Sequence, residues 1–87
     1  MVYIIRTKKN TLYTGITTDV ERRFQEHLDM HEGLPNAKGA KYFRSNQPIQ
    51  VVYQERCLSR SVASKREAAI KAMTRSQKAV LIESGVQ

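Results

Sequence analysis

Cysteine, glycine and long apolar runs are scarce in this chain, and each shortage removes a class of protein. The single cysteine, Cys57, excludes an intrachain disulfide and a cysteine-based zinc cluster, which is typical of a reducing compartment. None of the four glycines is spaced as GxGxxG or as a phosphate-binding loop, so nucleoside triphosphate chemistry is not indicated. The apolar run at residues 2–5 is too short for a signal peptide or a membrane span.

Positive charge is what the chain has in excess. It carries 15 Lys and Arg against 8 Asp and Glu, a net charge of +7 over 87 residues. Such a protein attracts polyanions, so nucleic acid leads the expected partners, although lysines that serve only solubility would give the same count. The length predicts one domain over residues 1–87, a monomer by default. The single cysteine and the short apolar runs favour the cytoplasm, or the nucleoid within it, with no membrane attachment.

Hydrophobic periodicity predicts the element order ββαβαα. Residues 2–6 and 11–16 read as a hairpin and residues 49–53 as a third strand, while residues 36–45 form a basic loop with one short helical turn. The fold class is therefore α+β, a small three-stranded and mainly antiparallel sheet flanked by helices. The predicted helices are 20–30 after Asp19, 61–73 after Ser59 or Ser61, and 75–84 between Thr74 and Gly85.

Two adjacent arginines of the first helix point in different directions. Successive residues are about 100° apart, so Arg23 and His27 border the apolar stripe that begins at Val20, whereas Arg22 points into solvent. The pair is either a functional edge or an ordinary boundary, with Arg23 in a surface salt bridge and His27 bound to a backbone group. His27 and His31 have zinc-ligand spacing, but no third histidine exists and zinc is not indicated.

Glu67 is the only acidic residue in the body of the second helix. Periodicity puts it beside a predicted apolar stripe, so it is either a functional carboxylate or a surface partner of Lys71 four residues later. Two tyrosines, Tyr3 and Tyr13, stand on the hairpin strands. Together with Arg23 they make up a set of groups that phosphodiester hydrolysis can use. The predicted stripe of the second helix is Val62, Ala69, Ile70 and Met73.

In sequence context these residues resemble the GIY-YIG nuclease superfamily, specifically its small stand-alone bacterial-type members. The resemblance rests on Tyr3, then YTG at 13–15, DVERRFQEH, GAKYFR and SKREAAI, and it covers about residues 1–83. It implies the three-stranded antiparallel sheet and cleavage of DNA phosphodiesters with one divalent ion, Mg²⁺ or Mn²⁺. The family's functional positions match Tyr3, Tyr13 with Gly15, Arg23, His27 and, for the metal-binding glutamate, Glu67.

Three departures accompany the resemblance. The first triplet, Met1-Val2-Tyr3, lacks the family's glycine, and the second triplet is Tyr-Thr-Gly. Many family members also carry an asparagine after the metal-binding glutamate, and residues 68–87 contain none. Either Gln77 substitutes for it or nothing does.

The resemblance implies a role for each matched side chain. Glu67 would hold the metal, and Arg23 would stabilise charge on the phosphate. Tyr3 would deprotonate the attacking water, its phenolate favoured by the metal and by Arg23, and Tyr13 would position that water or the phosphate. His27 would orient the phosphate or share the proton transfer.

The basic loop at residues 36–45 adds candidate DNA contacts. Basic residues would bind backbone phosphates while an aromatic ring stacks on an unpaired base, although a merely solvated loop has the same composition. We therefore expect a metal-dependent DNA endonuclease of weak sequence specificity and some preference for DNA structure, acting in repair or recombination beside other repair proteins. The alternatives are a non-catalytic nucleic-acid-binding module or a recruiter of a larger nuclease assembly. The predicted DNA contacts are Lys38, Lys41, Tyr42 and Arg44.

Overall fold

The structure is a computed structural model, and it describes residues 1–84. Its elements follow one another in the predicted order ββαβαα, so the α+β fold class with an antiparallel sheet is confirmed. A 3₁₀ turn, Lys41–Arg44, is the one short helical turn expected in the basic loop. The remaining elements are β1 Val2–Thr7, β2 Leu12–Ile16, α1 Val20–Glu32, β3 Pro48–Glu55, α2 Arg60–Lys71 and α3 Arg75–Glu83.

The sheet has the order β2-β1-β3, with β1 in the centre and antiparallel to both neighbours. In the β1–β2 hairpin, Tyr3 lies directly opposite Gly15 and Ile5 lies opposite Tyr13. Asn10, with φ of 65°, provides the left-handed residue of the connecting turn. The hairpin therefore puts the two tyrosine strands side by side, with β2 at an open edge of the sheet.

Polar caps fix where the helices begin. Asp19 accepts from the backbone N–H of Arg22 and starts α1, which ends at Gly33, a residue with φ of 73°. Ser59 rather than Ser61 caps α2. Thr74 and Gln77 form a reciprocal capping box that starts α3, and the predicted stop at Gly85 lies outside the described residues.

Alternate residues of β1 enter two separate cores. Val2 and Ile4 pack with Ala63 and Ile70 of α2, and α3 adds Leu81 and Ile82 at the edge of this cluster. On the opposite face lie Tyr3 and Ile5, which pack with Val20 of α1 and Phe43 of the 3₁₀ turn. The sheet is thus covered on both faces, by α2 and α3 on one and by α1 and the 3₁₀ turn on the other.

The buried stripe of α2 differs from the predicted one. Ala63 and Ile70 are buried, whereas Val62 and Ala69 are exposed, so that part of the prediction was wrong. The small Ala63 lets the helix approach the sheet, and Arg66 Nε forms an ion pair with Glu55 of β3 at 3.0 Å. Within residues 1–84, no helix is long and apolar enough to cross a bilayer.

Candidate active site

The phenol of Tyr3 crosses the edge strand β2 above Gly15. A Cβ atom at Gly15 would lie 2.6 Å from Tyr3 Oη, so any side chain there would displace the phenol. Gly15 is therefore required for close approach of a ring and not for a turn, since its backbone is in a regular strand. The result is a buried tyrosine whose hydroxyl reaches toward the open edge of the sheet.

His27 is fully buried and binds Tyr3. Its Nε2 lies 2.8 Å from Tyr3 Oη, and its Nδ1 lies 3.1 Å from the backbone nitrogen of Ala40. A backbone N–H can only donate, so Nδ1 is the unprotonated nitrogen and Nε2–H donates to Tyr3 Oη. Burial, aided by the nearby Arg23 charge, lowers the pKa of His27 to about 4, so the ring is neutral at pH 7.

Arg23 is held in place by two acceptors. Its Nη1 donates to Glu26 Oε1 at 2.9 Å and to the carbonyl oxygen of Lys38 at 2.8 Å. Burial opposes its charge, but the hydrogen bond to Glu26 and the nearby Tyr3 outweigh burial and raise the pKa of Arg23. The side chain of Arg22, in contrast, is 56% exposed against 28% for Arg23, so the two directions predicted from helix geometry are confirmed.

Titratable groups from three other elements shift the pKa of the Tyr3 phenol. Burial and the nearby Tyr13 raise the pKa of Tyr3 to about 12, Arg23 opposes this rise, and Glu67 adds to it. The expected effect of Arg23 is therefore present, but burial outweighs it and the free protein holds Tyr3 as a neutral phenol at pH 7. The negative charge of Glu67 is the smallest of these contributions to the pKa of Tyr3.

Glu67 reaches this region from the other side of the sheet. It shares the sheet-facing side of α2 with Ala63 and Ile70, four residues before it and three after it. Its neighbour Arg66 pairs with β3, which leaves Glu67 on the side of the helix that packs over β2. Glu67 Oε2 also lies 3.3 Å from Lys71 Nζ, so the predicted surface pair is present as well.

The donors available here suit a hard divalent ion better than zinc. Among residues 1–84, no three His, Cys, Asp or Glu side chains gather into a protein-only metal cage. Magnesium typically takes one or two carboxylates and fills its remaining positions with water and substrate phosphate, and the partly exposed Glu67 suits that requirement. The two histidines do not pair as ligands, because His27 uses both ring nitrogens and His31 Nδ1 binds the carbonyl oxygen of Phe43 at 2.9 Å.

An aromatic group extends the site along β2. The ring of Tyr42 stacks on Tyr13 with centroids 5.3 Å apart and planes at 29°, above the buried Phe43. Tyr42 Oη lies 2.6 Å from Thr11 Oγ1, which fixes the ring while leaving the residue 37% exposed. All four predicted DNA contacts lie at least partly open to solvent: Lys38, Lys41, Tyr42 and Arg44.

The sequence did not indicate that the backbone of residues 38–40 holds both Arg23 and His27 in place. Lys38 accepts from Arg23 through its carbonyl, and Ala40 donates to His27 through its backbone N–H. Between them, Gly39 packs so closely on α1 that a Cβ would lie 2.7 Å from His27 Cα. A glycine inside a basic, aromatic motif was the available signal, since glycine marks close backbone approach as well as turns.

The side chain of Gln77 is already used to cap α3. Its Oε1 accepts from the backbone N–H of Thr74 at 2.8 Å, and its own N–H donates to Thr74 Oγ1. Substitution of Gln77 for the family's asparagine would therefore require this capping box to break.

Comparison with known proteins identifies the class of domain that has this sheet and this site. A family model described as the GIY-YIG catalytic domain matches residues 1–79, so the chain belongs to the GIY-YIG family and is a nuclease-type domain. It is 47% identical over 83 residues to a UPF0213 protein of Desulfotalea psychrophila, covering 95% of this chain and 70% of that protein.

Two further relatives align over nearly the whole chain. A UPF0213 protein of Staphylococcus haemolyticus is 47% identical over 83 residues, with 94% of this chain and 92% of that protein covered. The UPF0213 protein YhbQ of Escherichia coli K12 is 42% identical over 84 residues, with 97% and 77% covered. No solved structure matches the chain.

Proposed function

We propose that this protein is a divalent-metal-dependent DNA endonuclease that hydrolyses phosphodiester bonds. The observation that carries the proposal is that Arg23 from α1 and Glu67 from α2 both act electrostatically on the phenol of Tyr3, which lies over the edge strand β2. Each supplies what attack on a phosphodiester needs: a group that handles a proton, a fixed cation and a carboxylate for a metal. Residues 1–87 then form one nuclease domain.

Arg23 binds the phosphate in this proposal. Its hydrogen bonds to Glu26 and to Lys38 both use Nη1, so neither acceptor takes up Nη2 or Nε, which can donate to phosphate oxygens. A guanidinium that is already held by Glu26 and by Lys38 loses little further conformational freedom when the substrate arrives. Arg23 thus stabilises the charge that develops on the phosphoryl oxygens in the transition state.

Glu67 would hold one Mg²⁺ or Mn²⁺ ion. When bound, such an ion neutralises charge on the phosphoryl and leaving-group oxygens. In the free protein the exposed Lys71 forms an ion pair with the carboxylate of Glu67. Exposed ion pairs are weak, so a metal ion can displace Lys71.

Tyr3 handles the proton of the attacking water. Because His27 Nε2–H donates to Tyr3 Oη, the hydrogen of Tyr3 is directed elsewhere, toward water or phosphate at the sheet edge. To act as a base, Tyr3 must first lose its own proton to solvent. The hydrogen bond from His27 and the positive charge of Arg23 stabilise the resulting phenolate, against the opposing effect of burial. His27 is a positioning residue for Tyr3, since both of its ring nitrogens are already bonded to protein atoms, and Tyr13 orients the water or phosphate.

The DNA substrate lies across the basic and aromatic residues beside the site. Lys38, Lys41 and Arg44 bind the phosphate backbone, and Tyr42 offers a ring face to a base. Contacts of this kind read charge and shape more than sequence, so we propose a structure-preferring enzyme of weak sequence specificity, a monomer acting in repair or recombination beside other repair proteins.

The test is a cleavage panel with labelled single-stranded, duplex, flap and branched DNA, each with Mg²⁺, with Mn²⁺ and with chelator. The wild-type protein should cut at least one substrate only when metal is present, and Glu67→Gln should abolish cutting while DNA binding persists. Glu83→Gln, which removes a carboxylate of α3, is the matched control and should cut normally. Binding without cutting by the wild type on every substrate would overturn the proposal.

The second candidate is a nucleic-acid-binding module without turnover. The absence of an asparagine after Glu67 and the engagement of Gln77 in a capping box favour it. In that case Arg23→Ala would reduce DNA affinity with no cleavage to lose, whereas in an enzyme it removes cleavage and leaves much of the affinity.

A further inference from the structure

The turn between β1 and β2 is fastened to the segment that carries Tyr42. The backbone N–H of Lys8 donates to the carbonyl oxygen of Gln47 at 2.9 Å, just beyond the 3₁₀ turn. Thr11 Oγ1, at the other end of the hairpin turn, lies 2.6 Å from Tyr42 Oη. The hairpin turn and the 3₁₀ turn therefore form one continuous surface, although they are about thirty residues apart in sequence.

This surface carries positive charge that the protein itself does not neutralise. Lys8 and Lys9 are exposed on the hairpin turn, and Lys41 and Arg44 are exposed on the 3₁₀ turn. In the part of the chain that the structure describes, none of these four forms an ion pair. Clustered unpaired cations raise the local potential and attract phosphates. We call Lys8, Lys9, Lys41, Tyr42 and Arg44 the basic turn surface.

The edge strand β2 connects the basic turn surface to the active site. Gly15 lies under Tyr3 Oη, Tyr13 comes next on the same side of the strand, and Thr11 ends the row at Tyr42. Four residues of strand span about 13 Å at about 3.3 Å per residue. A stacked DNA strand advances about 3.4 Å per nucleotide, so this distance corresponds to about four nucleotides.

We propose that the β1–β2 turn is a second phosphate-binding element, in which Lys8 and Lys9 bind the DNA backbone about four nucleotides or more from the bond held at Tyr3 and Arg23. The bound strand runs along β2 and passes over the exposed ring of Tyr42. This inference deepens the proposed function and rests on it, because the ligand is the DNA strand that the active site cuts.

The experiment measures DNA affinity by fluorescence anisotropy with labelled single-stranded and duplex DNA, in the Glu67→Gln protein so that no cleavage interferes. The test variant adds Lys8→Gln and Lys9→Gln. The matched control adds Lys65→Gln and Arg75→Gln, which remove the same charge from exposed positions of α2 and α3 on the other face of the sheet. Binding is measured at several salt concentrations from about 50 to 200 mM.

The test variant should bind about tenfold more weakly or worse at low salt. The slope of log affinity against log salt should fall by about 0.7 to 0.9 for each lost phosphate contact, while the control stays within about twofold of its parent. Shortening the DNA below about four nucleotides on the Tyr42 side should abolish the difference between parent and test variant. Equal losses in both variants would show a general charge effect and overturn the inference.

Failure of the proposed function gives a different result. If Glu67→Gln binds DNA through the hairpin lysines but the wild type never cuts, the catalytic proposal falls and the phosphate-binding element stands. If neither the wild type nor the Glu67→Gln protein binds DNA, both are overturned.

Discussion

The two faces of the sheet are built from alternate residues of the same strand, yet they are organised differently. On the α2 side, Val2 and Ile4 enter an aliphatic cluster completed by Ala63 and Ile70. On the α1 side, Tyr3 enters a group of rings and hydrogen bonds that includes buried His27. Burial of apolar area stabilises the first face without fixing any single atom, because the hydrophobic effect is not directional.

The α1 face needs the opposite property. A buried polar atom without a partner destabilises the protein by about 1–3 kcal/mol, so the ring nitrogens and the hydroxyl there are held where partners exist. His27 contacts Tyr3 on one side and Ala40 on the other, and Arg23 contacts Glu26 and Lys38. The difference between the faces teaches that stability and the position of the reactive groups can be perturbed separately, and the following predictions test this separation.

The largest effect on cleavage is expected from substitution of Arg23, with its neighbour Arg22 as the matched control. Arg23→Ala should lower the single-turnover cleavage rate about 10³-fold, the upper range for loss of one preorganised charge-stabilising group. Arg22→Ala, one residue away but solvent-directed, should cut within about twofold of wild type. Quench-flow or gel assays at saturating protein measure both. Equal losses would contradict the assignment of the two directions.

A core substitution on the α2 face should act on stability alone. Ile4 is fully buried, and Ile4→Ala should lower the free energy of unfolding by about 3 kcal/mol through lost burial and a residual cavity. Urea denaturation measures this change. The cleavage rate per folded molecule should stay close to that of the wild type. A drop of about a hundredfold in this rate would show that the two faces are not separable.

Buried His27 makes stability depend on pH on the α1 face. Its pKa of about 4 in the folded protein lies below the ordinary 6.5, so the unfolded chain binds more protons between these values. The contribution of His27 to the free energy of unfolding should therefore be constant above about pH 6.5 and fall by about 3 kcal/mol as pH decreases to 4. His27→Gln should lose this contribution and His31→Gln should keep it, as judged by denaturation at each pH. An unchanged pH dependence in His27→Gln would count against the buried neutral ring.

The glycine under Tyr3 should affect cleavage more than stability. Gly15→Ala forces the phenol away from its position, and a misplacement of about 1 Å can cost about 10²-fold in rate. Gly33→Ala is the control, because a Cβ there meets no atom within 4 Å but the φ of 73° strains any other residue. The control should lower the melting temperature and leave cleavage per folded molecule unchanged. A normal rate in Gly15→Ala would mean that Tyr3 Oη is not used.

Local periodicity is enough to predict much of this arrangement. Strand alternation and capping residues indicate the order ββαβαα, and helix geometry alone separates Arg23 from Arg22. The rest depends on contacts between distant segments. The Arg66–Glu55 ion pair joins α2 to β3 and so influences which side of α2 faces the sheet. The close fit of Gly39 against α1 positions the carbonyl of Lys38 and the N–H of Ala40, which hold Arg23 and His27. The depth of burial that raises the pKa of Tyr3 is likewise a property of the packed fold.

The most direct measurement of the central claim is the cleavage rate of Tyr3→Phe beside Ile4→Val, two mild changes at consecutive residues that face opposite sides of the sheet. Tyr3→Phe keeps the ring and removes only the hydroxyl that His27 holds at 2.8 Å. We expect it to lower the metal-dependent cleavage rate at least about 10²-fold, the usual range for loss of a general acid or base, while Ile4→Val cuts at the wild-type rate. Wild-type cleavage by Tyr3→Phe would contradict the account.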